Sequence, residues 1–300
     1  MCPASTKHIG SGATNGGPLQ APAPRPRLRM FGIPIDDVTM DEAVSALAGA
    51  LEPFVDPGQG QRPGDLRPKT ASQACFVNAD CINRLAGADG DRYREVLSGA
   101  RFVFADGSGM RLAGRILGQP VRDNVNGTDL FPRLCALLAE RGDGLFLLGG
   151  KAGVPEGVRA WIASNTPGLR VVGLQHGYFA QSETEKVLAE IRASGARVLL
   201  VAFGAPRQDL WIREHLPRLD VSLAIGVGGL FDFYSGRVPR APLWVRRLGL
   251  EWSFRLGQEP GRLWRRYILG NPIFVARTLN ERWRARRARR ARSPAGGSKL

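Results

Sequence analysis

The chain has 300 residues, 43% of them hydrophobic, which is enough to bury a core and excludes a wholly disordered polypeptide. Four cysteines (Cys2, Cys75, Cys81, Cys135) without CxxC or metal-type spacing, and only three histidines, argue against a disulfide framework or zinc site. The net charge of +15 is concentrated, because residues 237–292 hold sixteen arginines against Glu251, Glu259 and Glu281, leaving about +2 elsewhere. A near-neutral body with a basic end suits an anionic surface, either phospholipid or nucleic acid. No run approaches the length of a membrane-spanning helix and no basic-then-apolar leader opens the chain, so a cytosolic compartment is expected.

Residues 1–28 are rich in Gly, Pro, Ala and Ser without hydrophobic periodicity and read as a disordered extension. "RMFGIPI" reads as a strand, and Thr39-Met40-Asp41-Glu42 as a capping box opening a helix. A Pro/Gly-rich loop is expected near residues 53–68. Beyond it, apolar runs at 74–78, 101–106, 144–150, 169–175, 197–204 and 221–229 alternate with helical segments. Such continuous runs predict a parallel sheet covered on both faces, an α/β Rossmann-like core over 29–236 that binds ligands beyond its C-terminal strand ends. From 237 to 280 Trp, Leu and Ile interleave with arginine at helical spacing, predicting a basic amphipathic appendage. The alternative there is an ordinary helix packed on the core with a solvated basic face. Residues 281–300 read as a disordered basic tail.

The segments that could carry chemistry sit just past strand ends. In "FADGSGM", Asp106 is a candidate general base, or a helix N-cap. "LLGGKAG" sets Gly149, Gly150 and Lys151 where backbone amides and a cation could meet phosphate, although it matches neither a Walker A loop nor GxGxxG. Gln208 in "FGAPRQDLW" could hydrogen-bond a sugar or a base, Asp232 follows the turn "GVGG", and His176 lies in "QHGYF". The blander reading of these is tight turns and caps. Asp89-Gly90-Asp91 formally matches a metal-binding DxD signature, but it stands in a polar turn and reads as solvent-exposed.

Taken in order, "FVNADCIN", "FADGSGM", "NGTDL", "FLLGGKAGV", "HGYF", "AFGAPRQDLWI", "GVGGLFDFYSGRVPRAP" and "EPGRLWRRY" resemble the WecG/TagA/CpsF family, glycosyltransferase family 26, over about residues 29–270. The resemblance implies a Rossmann-like core and an inverting hexosyltransferase. Its donor would be a UDP-sugar of N-acetylmannosamine or glucose type, and its acceptor would be linked to polyprenyl diphosphate. It implies a peripheral enzyme on the inner face of the cell membrane, serving exopolysaccharide or cell-envelope polysaccharide synthesis. Asp106 looks like the general base, with Asn78 beside it and Gly149, Gly150 and Lys151 toward the nucleotide. Gln208 matches the "P-K/R-Q-E" motif, in which Asp209 here replaces the commoner glutamate. Arg237, Arg240, Arg262, Arg265 and Arg266 match positions suited to diphosphate, since guanidinium groups pair bidentately with phosphate. The chain departs from the family where Phe76 replaces a threonine and Asn124 an arginine; Arg122 is a nearby candidate to compensate. No metal and no cofactor are expected, the oligomeric state stays open, and nucleic acid is not the expected partner. The competing readings are a catalytically silent scaffold of an assembly complex and a basic nucleic-acid-binding protein.

Overall fold

A computed structural model describes residues 25–52 and 71–292. The expected disordered extension and Pro/Gly-rich loop therefore fall almost wholly outside the described residues. Eight strands form one sheet: β1 (Arg27–Met30), β2 (Ile33–Asp36), β3 (Ser72–Val77), β4 (Phe102–Ala105), β5 (Leu145–Gly149), β6 (Val171–Gln175), β7 (Val198–Ala202) and β8 (Leu223–Gly226). Their order is β1-β2-β4-β3-β8-β7-β5-β6. Only β1 is antiparallel to its neighbour; every other pairing is parallel.

"RMFGIPI" is a hairpin rather than one strand. Phe31 and Gly32 both take positive φ (53° and 76°), the combination a two-residue turn between twisted strands requires. β1 is in turn anchored through Asp36, whose carboxylate accepts from Arg27 Nε (2.8 Å) and from the Val103 amide (2.7 Å).

The helices are α1 (Met40–Leu51), α2 (Ala79–Arg84), α3 (Gly90–Gly99), α4 (Ser108–Leu117), α5 (Gly127–Arg141), α6 (Val154–Asn165), α7 (Thr184–Ala193), α8 (Arg207–His215) and α9 (Leu230–Tyr234). Thr39 and Glu42 make the reciprocal capping box at the start of α1. Because successive strand residues point to opposite faces, each apolar strand feeds two layers. Phe76, Phe104, Leu147, Leu200 and Ile225 pack against α1, α5, α6 and α9 on one face. On the other, Cys75, Val77 and Val103 meet α2, α3 and α4, while Leu148, Leu199 and Ala224 meet α7 and α8. Burial on both faces is why these strands read as continuous apolar runs.

The C-terminal segment continues as α10 (Leu243–Arg247), α11 (Glu251–Gln258), α12 (Pro260–Trp264), a π-helical turn (Arg265–Leu269) and α13 (Gly270–Arg292). The helix α13 returns to the core and packs on α2 and α4. Phe274 is its anchor, 2% exposed and part of the core layer under α4. Asn83 Nδ2 adds a bond to the Gly270 carbonyl (2.8 Å). The disordered tail expected from residue 281 is thus helical as far as Arg292. Arginine is a good helix former, and propensity carries the chain on from a packed first half. Among the described residues no helix is long and apolar enough to cross a membrane.

Candidate active site

The parallel register brings the C-terminal ends of β3 and β4 side by side, with Val77 opposite Ala105. The residues that follow, Asn78 and Asp106, are therefore neighbours. Asn78 is the N-cap of α2: its Oδ1 accepts from the amides of Asp80 (3.1 Å) and Cys81 (3.2 Å). Its Nδ2 then faces Asp106 Oδ2 at 3.4 Å. Asp106 does not cap the following helix. That position is Gly107, at φ +90°, where a side chain would be strained, and the turn it makes leaves the Asp106 carboxylate free of any capping bond. Asn124 Oδ1 accepts from the Gly107 amide (2.5 Å) and so holds this turn from the other side.

Burial pushes the Asp106 carboxyl from its ordinary 3.8 up to about 6, opposed in part by the Asn78 amide and the charge of Arg266. A base titrating near neutrality is suited to taking a proton from a hydroxyl.

Asp106 opens into a cavity of about 810 Å³ beyond the ends of β3, β4, β7 and β8, floored by the turns Gly204–Ala205 and Gly226–Gly229 and roofed by α10–α13. Seven arginines line it against three carboxylates, Asp80, Asp106 and Glu251. Asp80 is paired with Arg84 (2.9 Å) and Glu251 with Arg240 (3.3 Å), whereas Asp106 makes no ion pair among the described residues. In Arg246, Arg255 and Arg266 the buried Nε–H has no hydrogen-bond partner among the described residues. Buried unpaired donors are costly, so three of them around one cavity mark a place for an anion. Arg255 stands over the Phe233 ring (4.8 Å) beside Gly229, while Arg266 stands beside Tyr267 and 3.8 Å from Asp80.

Gln208 is buried beneath the floor. Its Oε1 accepts from the amides of Gly204 (3.0 Å) and Gly228 (2.9 Å), clamping the turns after β7 and β8 together. Below it lies Asp209, fully buried, taking a hydrogen bond from Tyr93 Oη (3.1 Å), with its carboxyl pushed up to about 7 by burial.

Residues 28–288 match the glycosyl transferase WecG/TagA/CpsF family. The chain belongs to this family. It is thereby a glycosyltransferase of cell-envelope polysaccharide synthesis, and the resemblance carried by the ordered motifs is borne out.

Of the residues singled out in this glycosyltransferase by sequence, Asn78, Asp106, Asn124, Gln208, Arg262 and Arg266 line the cavity. Gly149, Gly150, Lys151, His176, Asp232, Arg237, Arg240 and Arg265 do not. Gly149 instead permits close approach of strand ends, since a Cβ there would stand 2.7 Å from the Ala202 carbonyl oxygen. Gly150 donates to that same carbonyl (3.2 Å), and Lys151 is exposed. His176 Nδ1 accepts from the Tyr178 amide (3.3 Å), a local turn bond. Asp232 pairs with Arg237 (3.4 Å), and Arg240 bridges Asp129 (2.7 Å) to Glu251, tying α5 to the appendage. Arg265 lies against Trp264 on the outer side. Arg122 does not replace the missing arginine, because it is held on another surface by Asp37 and Glu42. Asp89 and Asp91 are exposed at the start of α3, outside the cavity. Sequence reasoning missed Arg246, Arg255, Trp252 and Tyr267, all of which line the cavity. Spacing held part of the signal: Arg262 and Arg266 stand four apart, a spacing that puts residues on one helix face, and both line the cavity.

Proposed function

We propose that the protein is an inverting glycosyltransferase that moves a hexosyl group from a UDP-sugar to a hydroxyl of a polyprenyl-diphosphate-linked acceptor, at an anionic membrane surface. The observation that carries this reading is a partly buried carboxylate, Asp106, with no ion-pair partner among the described residues, under a roof of arginines whose buried Nε–H groups make no hydrogen bond. Asp106 accepts the acceptor hydroxyl's proton as its oxygen forms a bond to the anomeric carbon. The bond from that carbon to the diphosphate oxygen breaks on the opposite face, and UDP departs. One base on one face and cations on the other support a single displacement, hence inversion to a β-linkage.

Arg255, Arg246 and the backbone of the Gly228–Gly229 turn are suited to the donor diphosphate, whose leaving oxygen gains charge in the transition state. Arg262 and Arg266 are suited to the acceptor diphosphate. Asn78 and Asn124 orient the base and its turn rather than touch the reacting atoms. Exposed Leu243, Trp244, Leu248 and Trp264 amid arginines suit seating on anionic lipid. The retained base argues against a silent scaffold, and an apolar roof face argues against a nucleic-acid arm.

The test incubates the protein with anionic vesicles, short-chain prenyl-diphosphate-linked N-acetylglucosamine or glucose, and a panel of UDP-sugars. Mass spectrometry reads the lipid-linked disaccharide. One donor giving product that depends on Asp106 supports the reading; UDP binding without product from any donor and acceptor sinks it.

A further inference from the structure

Beside the catalytic cavity, α11, the π-helical turn and the first half of α13 line a second, open groove of about 590 Å³. Its lining is apolar apart from Asn271, with Ile268, Pro272, Ala276 and Leu279 along one side. Trp252 and Tyr267, whose ring centroids are 5.8 Å apart, line both this groove and the catalytic cavity, as do Asn271 and Val275. The groove is thus continuous with the cavity, and the junction is where Arg266 stands beside the Tyr267 ring, 3.8 Å from Asp80, its buried Nε–H making no hydrogen bond. From Tyr267 to Leu279 the groove follows the helix for about 18 Å at the usual rise per residue.

A cationic group at one end of an open apolar trough fits a molecule with the complementary polarity, an anionic head joined to an extended hydrocarbon. We infer that this groove seats the first isoprene units of the lipid-linked acceptor, with Arg266 on the phosphate next to the chain. The inference rests on the function proposed above and deepens it by giving the acceptor's hydrocarbon its own binding site on the protein. It explains why apolar side chains such as Ile268 and Leu279, each about half exposed, stay open to solvent along a trough leading into a polar cavity. It also fixes direction: an acceptor entering this way presents its sugar toward Asp106 and its tail away from the donor side at Gly229.

The experiment titrates the full-length protein with prenyl diphosphates of one, two and three isoprene units, by calorimetry below their micelle concentrations. Burying successive isoprene units is expected to tighten binding at least about tenfold from the shortest to the longest, a modest share of full hydrocarbon transfer. Ala276→Trp fills the trough at an exposed position and is expected to abolish that gain with chain length. Should it fail to fold, Leu279→Gln is expected to halve the gain or more. Ile273→Ser is the control, because Ile273 is exposed on α13 outside the groove lining and is expected to keep the full gain. Affinity independent of chain length overturns the inference, as does an undiminished gain in the folded groove variant. Equal loss in Ile273→Ser overturns it too, and points to general adsorption on the apolar surface or to a second copy of the chain. Binding is read without turnover, so the outcomes separate. Chain-length-dependent binding with no sugar transfer sinks the proposed reaction and leaves the groove; transfer without chain-length dependence does the reverse.

Discussion

Replacing Asp106 by asparagine separates two consequences of burying one carboxylate. The folded protein raises this group from 3.8 to about 6. Over that interval the folded state holds the proton more tightly than the unfolded state, so stability falls as pH rises from about 4 to about 6 and stays reduced above. About two units at 1.36 kcal/mol each give a cost on the order of 3 kcal/mol for ionised Asp106 at neutral pH. Asparagine keeps the shape and can still accept from Asn78, but it carries no charge to desolvate. Asp106→Asn is therefore expected to melt higher than the parent above pH 6, by roughly 6 °C for a chain of this size, with the difference vanishing near pH 4. The same substitution removes the base and is expected to lower kcat/KM by about 10²–10⁴. In the parent, kcat/KM is expected to fall about tenfold per unit below pH 6, as the base protonates. Thermal melts at pH 4 and 7.5, beside initial rates from pH 5 to 8, measure all three. A variant that is less stable at pH 7.5 refutes the desolvation argument. A parent rate flat from pH 5 to 8, or a variant within threefold of the parent, removes Asp106 from the proton transfer.

Gln208→Ala strips the acceptor from two amides at the cavity floor; a loss of about 2–4 kcal/mol in denaturant unfolding is expected, with weaker UDP binding, and wild-type stability would contradict the clamp. Gly226→Ala would put a methyl 2.4 Å from Asp209 Oδ1 and 2.7 Å from Gln208 Nε2, and is expected to yield little folded protein or a large drop in melting temperature. Arg255→Ala is expected to raise KM for the donor more than for the acceptor, and Arg266→Ala the reverse, each by roughly tenfold or more for a charge-assisted bond; matching changes in both parameters would dissolve the division between them. Because guanidinium groups stand ready to neutralise the diphosphate, turnover is expected to survive EDTA, and activity abolished by EDTA and restored by magnesium or manganese would reverse that expectation.

The sheet was readable because buried parallel strands leave long apolar runs: β4, β5, β6, β7 and β8 all fall inside the segments so marked, and β3 starts two residues ahead of its own. The hairpin at Phe31–Gly32 was hidden because its two strands are short and a single phenylalanine takes positive φ without a sequence signature. At the site, Asp106 was legible as a strand-end carboxylate followed by glycine. Its rival reading as a cap fails only in three dimensions, where Asn78 caps its own helix and Gly107 takes the cap position of the next. The glycines of "LLGGKAG" lie outside the cavity lining, and close strand packing and phosphate contact both demand a missing Cβ, so local sequence does not distinguish a carbonyl from a ligand. The appendage arginines stand differently. Arg237 and Arg240 are as basic as Arg255 but lie outside the cavity lining: Arg237 pairs with Asp232 five residues before it, and Arg240 with Asp129 across a tertiary contact that spacing along the chain does not reveal.

That difference bears on why one segment carries both the charge and the apolar surface. On the proposed reaction a water-borne nucleotide meets an acceptor held in lipid, and the two diphosphates must approach without their charges repelling. Cations fixed on the core alone would stand in open water, where such attraction is weak. Carried on helices that roof the cavity, Arg255 and Arg266 are held against the rings of Phe233 and Tyr267, in a setting that strengthens their field. Burial raises the Asp106 carboxyl against the opposing charges of Arg266 and Arg255, so the roof that readies the leaving group also bears on the working range of the base. Lifting α13 would expose Phe274 and undo both at once. A chain shortened before Gly270 is thus expected to lose the raised pH dependence of Asp106 together with acceptor binding. Retention of either one alone would show that roof and base are independent.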